Sequence, residues 1–537
     1  MKKQLSEPEH LNYLKKVAKS DAGAWVIMNR IFLPSAGKVF SFKDHEYLEE
    51  PYRIKAPLVV FEKGAQMGFS ERAVLRSLHD CGYRLKSGLI YYFPTKVDVT
   101  DFSKARFSSL IASNPILQGL VQDTDAANIK KVNKAMLYLR GLRSTVSAKS
   151  APADKIVFDE LDEAPPEMVD LARKRLDHSE FQEIEALSTP TIPDYGIDAL
   201  FQLTDQRYRQ IYCAHCGKYT CLEREFPNCL AEKKDGSVIK VCKKCGKALD
   251  LGHERNEYVA DFPGKKWQGR EAVGYRISQL QSHYVSAAKI LEEYRDGKFP
   301  ADFYNSRLAQ AWIDAANRLD VAHVLALAGN HGMDYTERMA VAIGVDIGPV
   351  VHHVVVARKE YGETFKIVWL GETDWGGLDL LMERYTGKMV VDGMPEPARV
   401  KELAKRHPYK IYACHYSQSP KVVRHWDDTE GKITIYQSEA MDESHAVLQR
   451  GRVSLPRASM DEVKTFAEHC HNVARRKVED EETGNLKYQW IKLGPDHYRK
   501  AFNFMVLASE HVGESLKGRA MDWKKLTRGG IAQTYAH

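Results

Sequence analysis

The chain changes its hydropathy texture several times along its length. From about residue 55 to 190, short apolar runs ("LVVFEK", "LIYYF", "KIVFD", "IEALS") alternate with longer stretches whose apolar positions recur at helical spacing. That pattern predicts buried strands alternating with helices, an α/β arrangement. Residues 205–255 lose this rhythm and become rich in Cys, Lys and Gly, and residues 256–333 read as a helical continuation. After the turn-like "AGNHGMDY" a second strand-rich block begins near Met339, and the chain ends in a basic tail. The boundaries that follow are 1–204, 205–255, 256–333, 334–512 and 513–537.

The first block carries chemistry at its strand ends. "LVVFEKGAQMGFSERAVL" is an apolar strand, a small-residue turn and a helix start. A phosphate loop needs such a turn, because backbone N–H groups and the helix dipole must face the anion. Gly64, Ala65 and Gly68 keep the turn narrow, and Ser70 stands where a Mg²⁺-holding hydroxyl belongs. The usual lysine before that hydroxyl is replaced by Phe69, so the expected ammonium is Lys63, entering from the other end of the loop. "DKIVFDELDEAP" places Asp159 and Glu160 after a strand, suited to supporting the metal and orienting the attacking water. "IEALSTPT" ends in Ser188 and Thr189, a polar tip suited to sensing a γ-phosphate, and "LIYYFPTK" offers Pro94 and Thr95 to a nucleic-acid-facing loop.

Two Cys-x-x-Cys units, Cys213/Cys216 and Cys242/Cys245, are each followed by glycine ("CAHCGK", "CKKCGK"). This is knuckle spacing for tetrahedral, structural Zn²⁺ with four thiolates and no open position. Cys221 and Cys229 lie between the pairs without that spacing, and His215 is expected to point outward. Nearby lysines (Lys218, Lys233, Lys234, Lys240, Lys243, Lys244, Lys247) form either a phosphate-binding face or a solvated one.

The second block sets Asp346 inside an apolar strand in "MAVAIGVDIGPVVHHVVVARKE", where a carboxylate is costly without a cation or partner. Asp392 ends the strand "KMVVDGMP", and Asp496 opens the helix of "LGPDHYRKAFNFMVLA". Two strand acids and one helix acid are what an RNase H-like nuclease assembles around two divalent ions. "GVDIG" also resembles the phosphate loop of actin-like and sugar kinases, but no second Gly-rich loop follows downstream. Asp442, Glu443 and His497 are auxiliary candidates.

The totals limit the classes. The 537 residues suffice for three domains, and the net charge of +6 permits a polyanion partner without requiring one. The longest apolar stretch is broken by Asp346, His352 and His353, short of the ~18 uninterrupted residues of a membrane span, so no membrane role is expected. "MKKQLSEPEH" has no apolar core behind its lysines, which leads to the expectation of a cytoplasmic protein. Nine cysteines there suggest metal rather than disulfides.

Taken together, "KGAQMGFSE", "IVFDELDEAP", "LSTPT" and "LTDQRYRQIYCAHCG" resemble successive motifs of the large terminase subunit of tailed bacteriophages, most of all its lambda-type branch, over residues 40–510. The resemblance implies a P-loop ATPase domain with a zinc-ribbon insertion, followed by an RNase H-like nuclease domain. It implies an ATP-driven motor that moves duplex DNA into a procapsid and cuts it. Lys63, Gly64, Ala65, Gln66, Met67, Gly68, Phe69 and Ser70, with Asp159, become the ATP-binding segment, and Glu160 the catalytic base. Ser188 and Thr189 become the coupling motif, and Asp346, Asp392 and Asp496 the ligands of Mg²⁺ or Mn²⁺ in the nuclease. The implied partners are duplex DNA, a small terminase subunit and the portal protein of the procapsid, with a homo-oligomeric ring, a pentamer on the portal. The implied location is the host cytoplasm, transiently at the portal. Members usually carry an upstream glutamine that reads adenine; here His45, in "FSFKDHEYLEEPY", stands near that place. Arg143, Arg140 and Arg106 are candidates for the arginine that such motors need. Two other readings share part of this pattern. One is an ATP-dependent helicase or translocase with a fused nuclease. The other is an inactive zinc-ribbon DNA-binding scaffold, which only Phe69 supports.

Overall fold

The computed structural model describes residues 7–512 except 127, 144, 150, 361–363, 418, 420 and 480–485; the expected basic tail at 513–537 lies outside them. The chain divides into two compact units, Met1–Ile313 and Asp314–His537.

The first unit is built on seven parallel strands. In chain order they are β1 (Leu58–Lys63), β2 (Gly88–Phe93), β3 (Ala135–Gly141), β4 (Lys155–Asp159), β5 (Glu183–Ser188), β6 (Arg207–Tyr212) and β7 (Arg270–Ile277). In space the order is β6-β7-β1-β5-β4-β2-β3, extended by antiparallel strands at both edges. Every residue of β1, β2 and β4 is buried, as expected for parallel strands covered on both faces. Helix α1 (Phe69–Tyr83) follows β1, and α2 (Gly196–Gln202) follows β5.

β7 corrects the sequence reading. Residues 256–333 were expected to be helical, but Arg270–Ile277 is a central strand beside β1. Its "AVGYRI" interrupts the apolar run with Gly274 and Arg276, which hides the strand from a hydropathy scan. The structure explains both residues. Arg276 is in register with Glu62 on β1 and pairs with it at 2.6 Å, while Gly274 leaves room where a Cβ would sit 2.0 Å from Thr204 Oγ1.

Other charges are buried under the sheet. Lys155 on β4 reaches Glu185 on β5 at 2.8 Å and Asp80 on α1 at 3.0 Å. Arg72, one turn into α1, also pairs with Glu185, and Arg76 and Arg84 pair with Asp80. The network fixes α1 to the two strands, since each of these charges would be uncompensated in any other packing.

The second unit holds an eight-stranded sheet. Its centre is β8 (Val341–Asp346), antiparallel to β9 (His352–Lys359) and parallel to β10 (Gly387–Asp392). Helix α3 (His497–Ala508) crosses β8 at Gly344, where a Cβ would lie 1.9 Å from Ala501 O and 2.2 Å from Met505 N. Backbone cannot move aside as a side-chain tip does. Gly344→Ala should therefore lower the stability of this unit by about 3 kcal/mol, the upper end of typical overpacking costs. Chemical denaturation would show the second unit unfolding at lower denaturant, with the first unit's transition unchanged.

Candidate functional site

The phosphate-loop candidate lies at the end of β1. Gly68 adopts φ 78° and Gln66 φ 56°, left-handed conformations that turn the chain sharply into α1. Phe69 is 1% exposed and packs on Phe61 at 4.9 Å between ring centroids. Position 69 thus points into the core, where an ammonium would be desolvated, and this accounts for the missing lysine. Lys63 lies on the opposite side of the loop, with Nζ 2.8 Å from Glu160 Oε1.

Asp159 and Glu160 lie beside the loop. Ser70 Oγ donates to Asp159 Oδ1 at 3.1 Å. Burial, reinforced by the neighbouring Glu160, pushes the Asp159 carboxyl up to about 6. Tyr91 on β2 donates its hydroxyl to the other Asp159 oxygen at 2.7 Å. Sequence reading missed Tyr91 because in "LIYYF" it looks like one more buried strand residue. Glu160 has φ 50°, which swings its carboxylate off the strand toward Lys63. The Thr189 N–H donates to Glu160 Oε2 at 3.4 Å, and Ser188 Oγ lies 3.5 Å from the same oxygen and 3.0 Å from Thr189 O.

Two loop amides do not face an anion, contrary to expectation. Gly64 N–H donates to Ile277 O and Ala65 N–H to Ser306 O, both at 2.8 Å. Gln279 Nε2 donates to Ala65 O at 2.7 Å. Among the described residues, the amides of Met67, Gly68, Phe69 and Ser70 have no main-chain acceptor and remain for a phosphate. Beside the loop is a cavity of about 530 Å³ whose walls include His45, Tyr47, Gln66, Gln279, Tyr284 and Arg307. His45 lines this cavity together with Gln66 of the loop, its ring 5.1 Å from that of Tyr284. Gln279, from far downstream, is the glutamine hydrogen-bonded to the loop. Of the arginine candidates, Arg106 is tied to the helix after the loop, through Glu71 at 2.9 Å. Arg140 donates to Asn128 O and Leu139 O, and Arg143 is exposed.

The sulfurs of Cys213, Cys216, Cys242 and Cys245 all lie within 4.8 Å of one another. Cys213 Sγ and Cys245 Sγ are 3.6 Å apart, and Cys216 Sγ and Cys242 Sγ 3.7 Å. A tetrahedral centre with bonds of about 2.3 Å has edges of about 3.8 Å, so the four thiols fit such an ion. The two knuckles repeat one geometry: Gly217 and Gly246 have φ 68° and 66°, and each donates its N–H to the first cysteine's carbonyl at 2.9 Å. Cys221 and Cys229 are buried outside the cluster, and His215 is exposed. Lys240 does not join the exposed lysines; it donates to Ser282 O at 2.8 Å, and burial lowers its ammonium to about 8.

In the second unit, Asp346 and Asp392 end the adjacent parallel strands β8 and β10. Burial, with Asp392 nearby, pushes the Asp346 carboxyl up to about 6, and burial also raises Asp392. His497 Nδ1 is 2.8 Å from Asp346 Oδ2, and its ring stacks on His353 at 4.6 Å. Asp496 is buried at the start of α3, makes no capping hydrogen bond and pairs with Lys492 at 2.8 Å. The three acids do not all approach within 4.8 Å of one another. Asp442 is held by Arg475 and Trp490, and Glu443 by Arg424.

Residues 49–261 match the family model described as the phage terminase large subunit gpA, ATPase domain. Among solved structures, the HK97 bacteriophage large terminase is similar with a TM-score of 0.52 at 11% identity, over 91% of this chain and 99% of that one. At that identity the likeness concerns the fold. The Thermus phage P74-26 large terminase ATPase domain matches at 15% identity and a TM-score of 0.31, over 50% of this chain and 97% of that one. No curated protein sequence matches the chain. The family match falls on the segment that runs from the phosphate-loop strand through the paired acids and Ser188 to the cysteine knuckles, and this segment is similar to the ATPase domain of the phage terminase large subunit.

Proposed function

We propose that this chain is an ATP-driven motor that translocates duplex DNA into a procapsid and cuts it with a metal-dependent endonuclease site in its second unit. The observation that carries the motor reading is the meeting of Lys63, Asp159, Glu160, Ser70 and Ser188 at one edge of the sheet, from strands far apart in sequence. The side-by-side Ser70 hydroxyl and Asp159 carboxylate are hard oxygen donors, which suits Mg²⁺. When bound with ATP, that ion supplies charge neutralisation at the β- and γ-phosphates.

The residues of the chain do the rest. Lys63 and Glu160 neutralise each other across 2.8 Å. An incoming γ-phosphate competes for the ammonium, and this frees the Glu160 carboxylate to orient water. Tyr91 holds Asp159 in place, and Ser188 and Thr189 read the position of Glu160. Sequence-independent grip on the duplex fits contacts to phosphates, so translocation should weaken steeply with salt.

For the second unit the proposal is an RNase H-like nuclease. Support comes from the paired strand acids Asp346 and Asp392, with Asp496 at the start of α3, next in sequence to the His497 that pairs with Asp346. Their oxygen donors suit Mg²⁺ or Mn²⁺, and bound ions would there activate water and stabilise the leaving oxygen. The knuckle cysteines fit a structural Zn²⁺, making residues 205–255 a zinc ribbon. A small terminase subunit, the portal protein and a ring of identical chains are the proposed partners, with action in the host cytoplasm and at the portal.

Glu160→Gln should bind ATP with near-normal affinity and lose turnover by at least about a hundredfold, since it removes the group that positions water. Steady-state hydrolysis alongside binding of a fluorescent ATP analogue checks this, and normal turnover would remove the assigned base. Asp346→Ala should abolish DNA cutting while ATP hydrolysis persists, and unaltered cutting of plasmid DNA would sink the second site. Purified protein should carry one zinc per chain by elemental analysis, and Cys213→Ser should lose it; a folded, metal-free wild type would refute the ribbon.

A further inference from the structure

Asp162 lies two residues beyond Glu160 and is 1% exposed. Its carboxylate is saturated by one loop. Oδ2 accepts the N–H of Thr191 at 2.8 Å and its hydroxyl at 2.7 Å, and Oδ1 accepts the N–H of Ile197 at 2.7 Å. The Asp162 N–H in turn donates to Ser188 Oγ at 3.2 Å. At Gly196, φ is +51° and a Cβ would stand 2.2 Å from Asp162 Oδ1, so the loop closes tightly on the carboxylate. The connection from Ser188 to Ile197 is therefore held at Thr191 and Ile197 by one acid two residues beyond Glu160.

That loop touches a second element. Thr191 O accepts the N–H of Trp312 at 3.1 Å. Trp312 is next to the last residue of the first unit, which ends at Ile313. The same terminal segment accepts the N–H of Ala65 on Ser306 O. One stretch, 306–312, is thus hydrogen-bonded at one end to the phosphate loop and at the other to the loop that senses Glu160. Between the two contacts, Ala309 is fully buried with φ 52°, a left-handed conformation that costs a non-glycine residue energy and marks a segment held in place by its surroundings. The Tyr304 and Trp312 rings stack at 6.1 Å and 2° across it.

We infer that Asp162 is a positioning residue that locks the Ser188–Ile197 connection to Glu160 and, through Thr191 and Trp312, passes the nucleotide state to the segment leading into the second unit. This rests on the ATPase reading above. When Glu160 exchanges Lys63 for a water beside the γ-phosphate, Ser188 and Thr189 lose or tighten their bonds to it. Asp162 keeps the loop rigid, so the change reaches Thr191 instead of dissipating.

The test is Asp162→Asn in the full chain. The isosteric amide keeps the volume but turns an NH₂ group toward donors. The expected result is a kcat for ATP lowered about tenfold or more, as for small misplacements of a catalytic group, with KM and ATP-analogue affinity within about twofold of wild type. Hydrogen exchange supplies a second readout. In the wild type, ATPγS should change protection at both Met67–Ser70 and Trp312; in Asp162→Asn the loop response should persist and the Trp312 response should vanish. A wild-type kcat or an intact Trp312 response in the variant overturns the inference. If circular dichroism shows that Asp162→Asn does not fold, Thr191→Val decides. It removes one hydroxyl bond and keeps both N–H bonds, and unchanged kcat with an unchanged Trp312 response is then the overturning result. A wild type that does not hydrolyse ATP would instead sink the ATPase reading itself.

Discussion

The first unit depends on the register of three neighbouring parallel strands. Glu62 on β1 is opposite Ser188 on β5, and Leu187 on β5 is opposite Asp159 on β4. The three strands therefore end level, and whatever follows each end is delivered to one edge. Lys63, the Asp159-Glu160 pair and the Ser188-Thr189 tip meet there. A slip of one residue would turn every side chain of a strand to the other face of the sheet. Ladder hydrogen bonds thus assemble a site from residues 97 positions apart, as between Lys63 and Glu160.

Buried charges guard that register. The Glu62–Arg276 pair joins β1 to β7, and Lys155, Glu185 and Asp80 join β4, β5 and α1. Ion pairs of this kind contribute little net stability against apolar replacements, because desolvation offsets the attraction. They do penalise alternatives heavily, since a shifted strand would leave a carboxylate or ammonium buried alone. At Glu62, burial works against the charged carboxylate and the paired Arg276 works for it. The helix that opens at the phosphate loop is held by the same charges, so loop geometry and sheet register are parts of one constraint.

The second unit uses close approach instead. Gly344 lets α3 lie directly on β8, which brings His497 to Asp346. Its polar residues are crowded around imidazoles: His353 stacks on His497, and His469 accepts the Tyr498 N–H at 3.1 Å. Burial, helped by His353, lowers His469 to about 4, so this ring is neutral and adds no positive charge beside the acids.

Local features were legible because they are carried by neighbours a few residues apart. The phosphate-loop turn, the acids after a strand, the cysteine knuckles and the strand around Asp346 each follow from spacing and residue type alone. β7 was misread as helix because its charged and glycine positions are satisfied only by partners on other elements. Lys63 was legible as an ammonium at the loop, but the packing of Phe69 on Phe61 was not. Tyr91 on Asp159, Gln279 and Ser306 on the loop, and the Thr191 and Ile197 donors on Asp162 are contacts across long stretches of chain. The sequence alone determined which chemistries the strand ends could present. Only the tertiary structure decided which of them meet, because that depends on which strands become neighbours, and no residue encodes its strand's neighbour by itself.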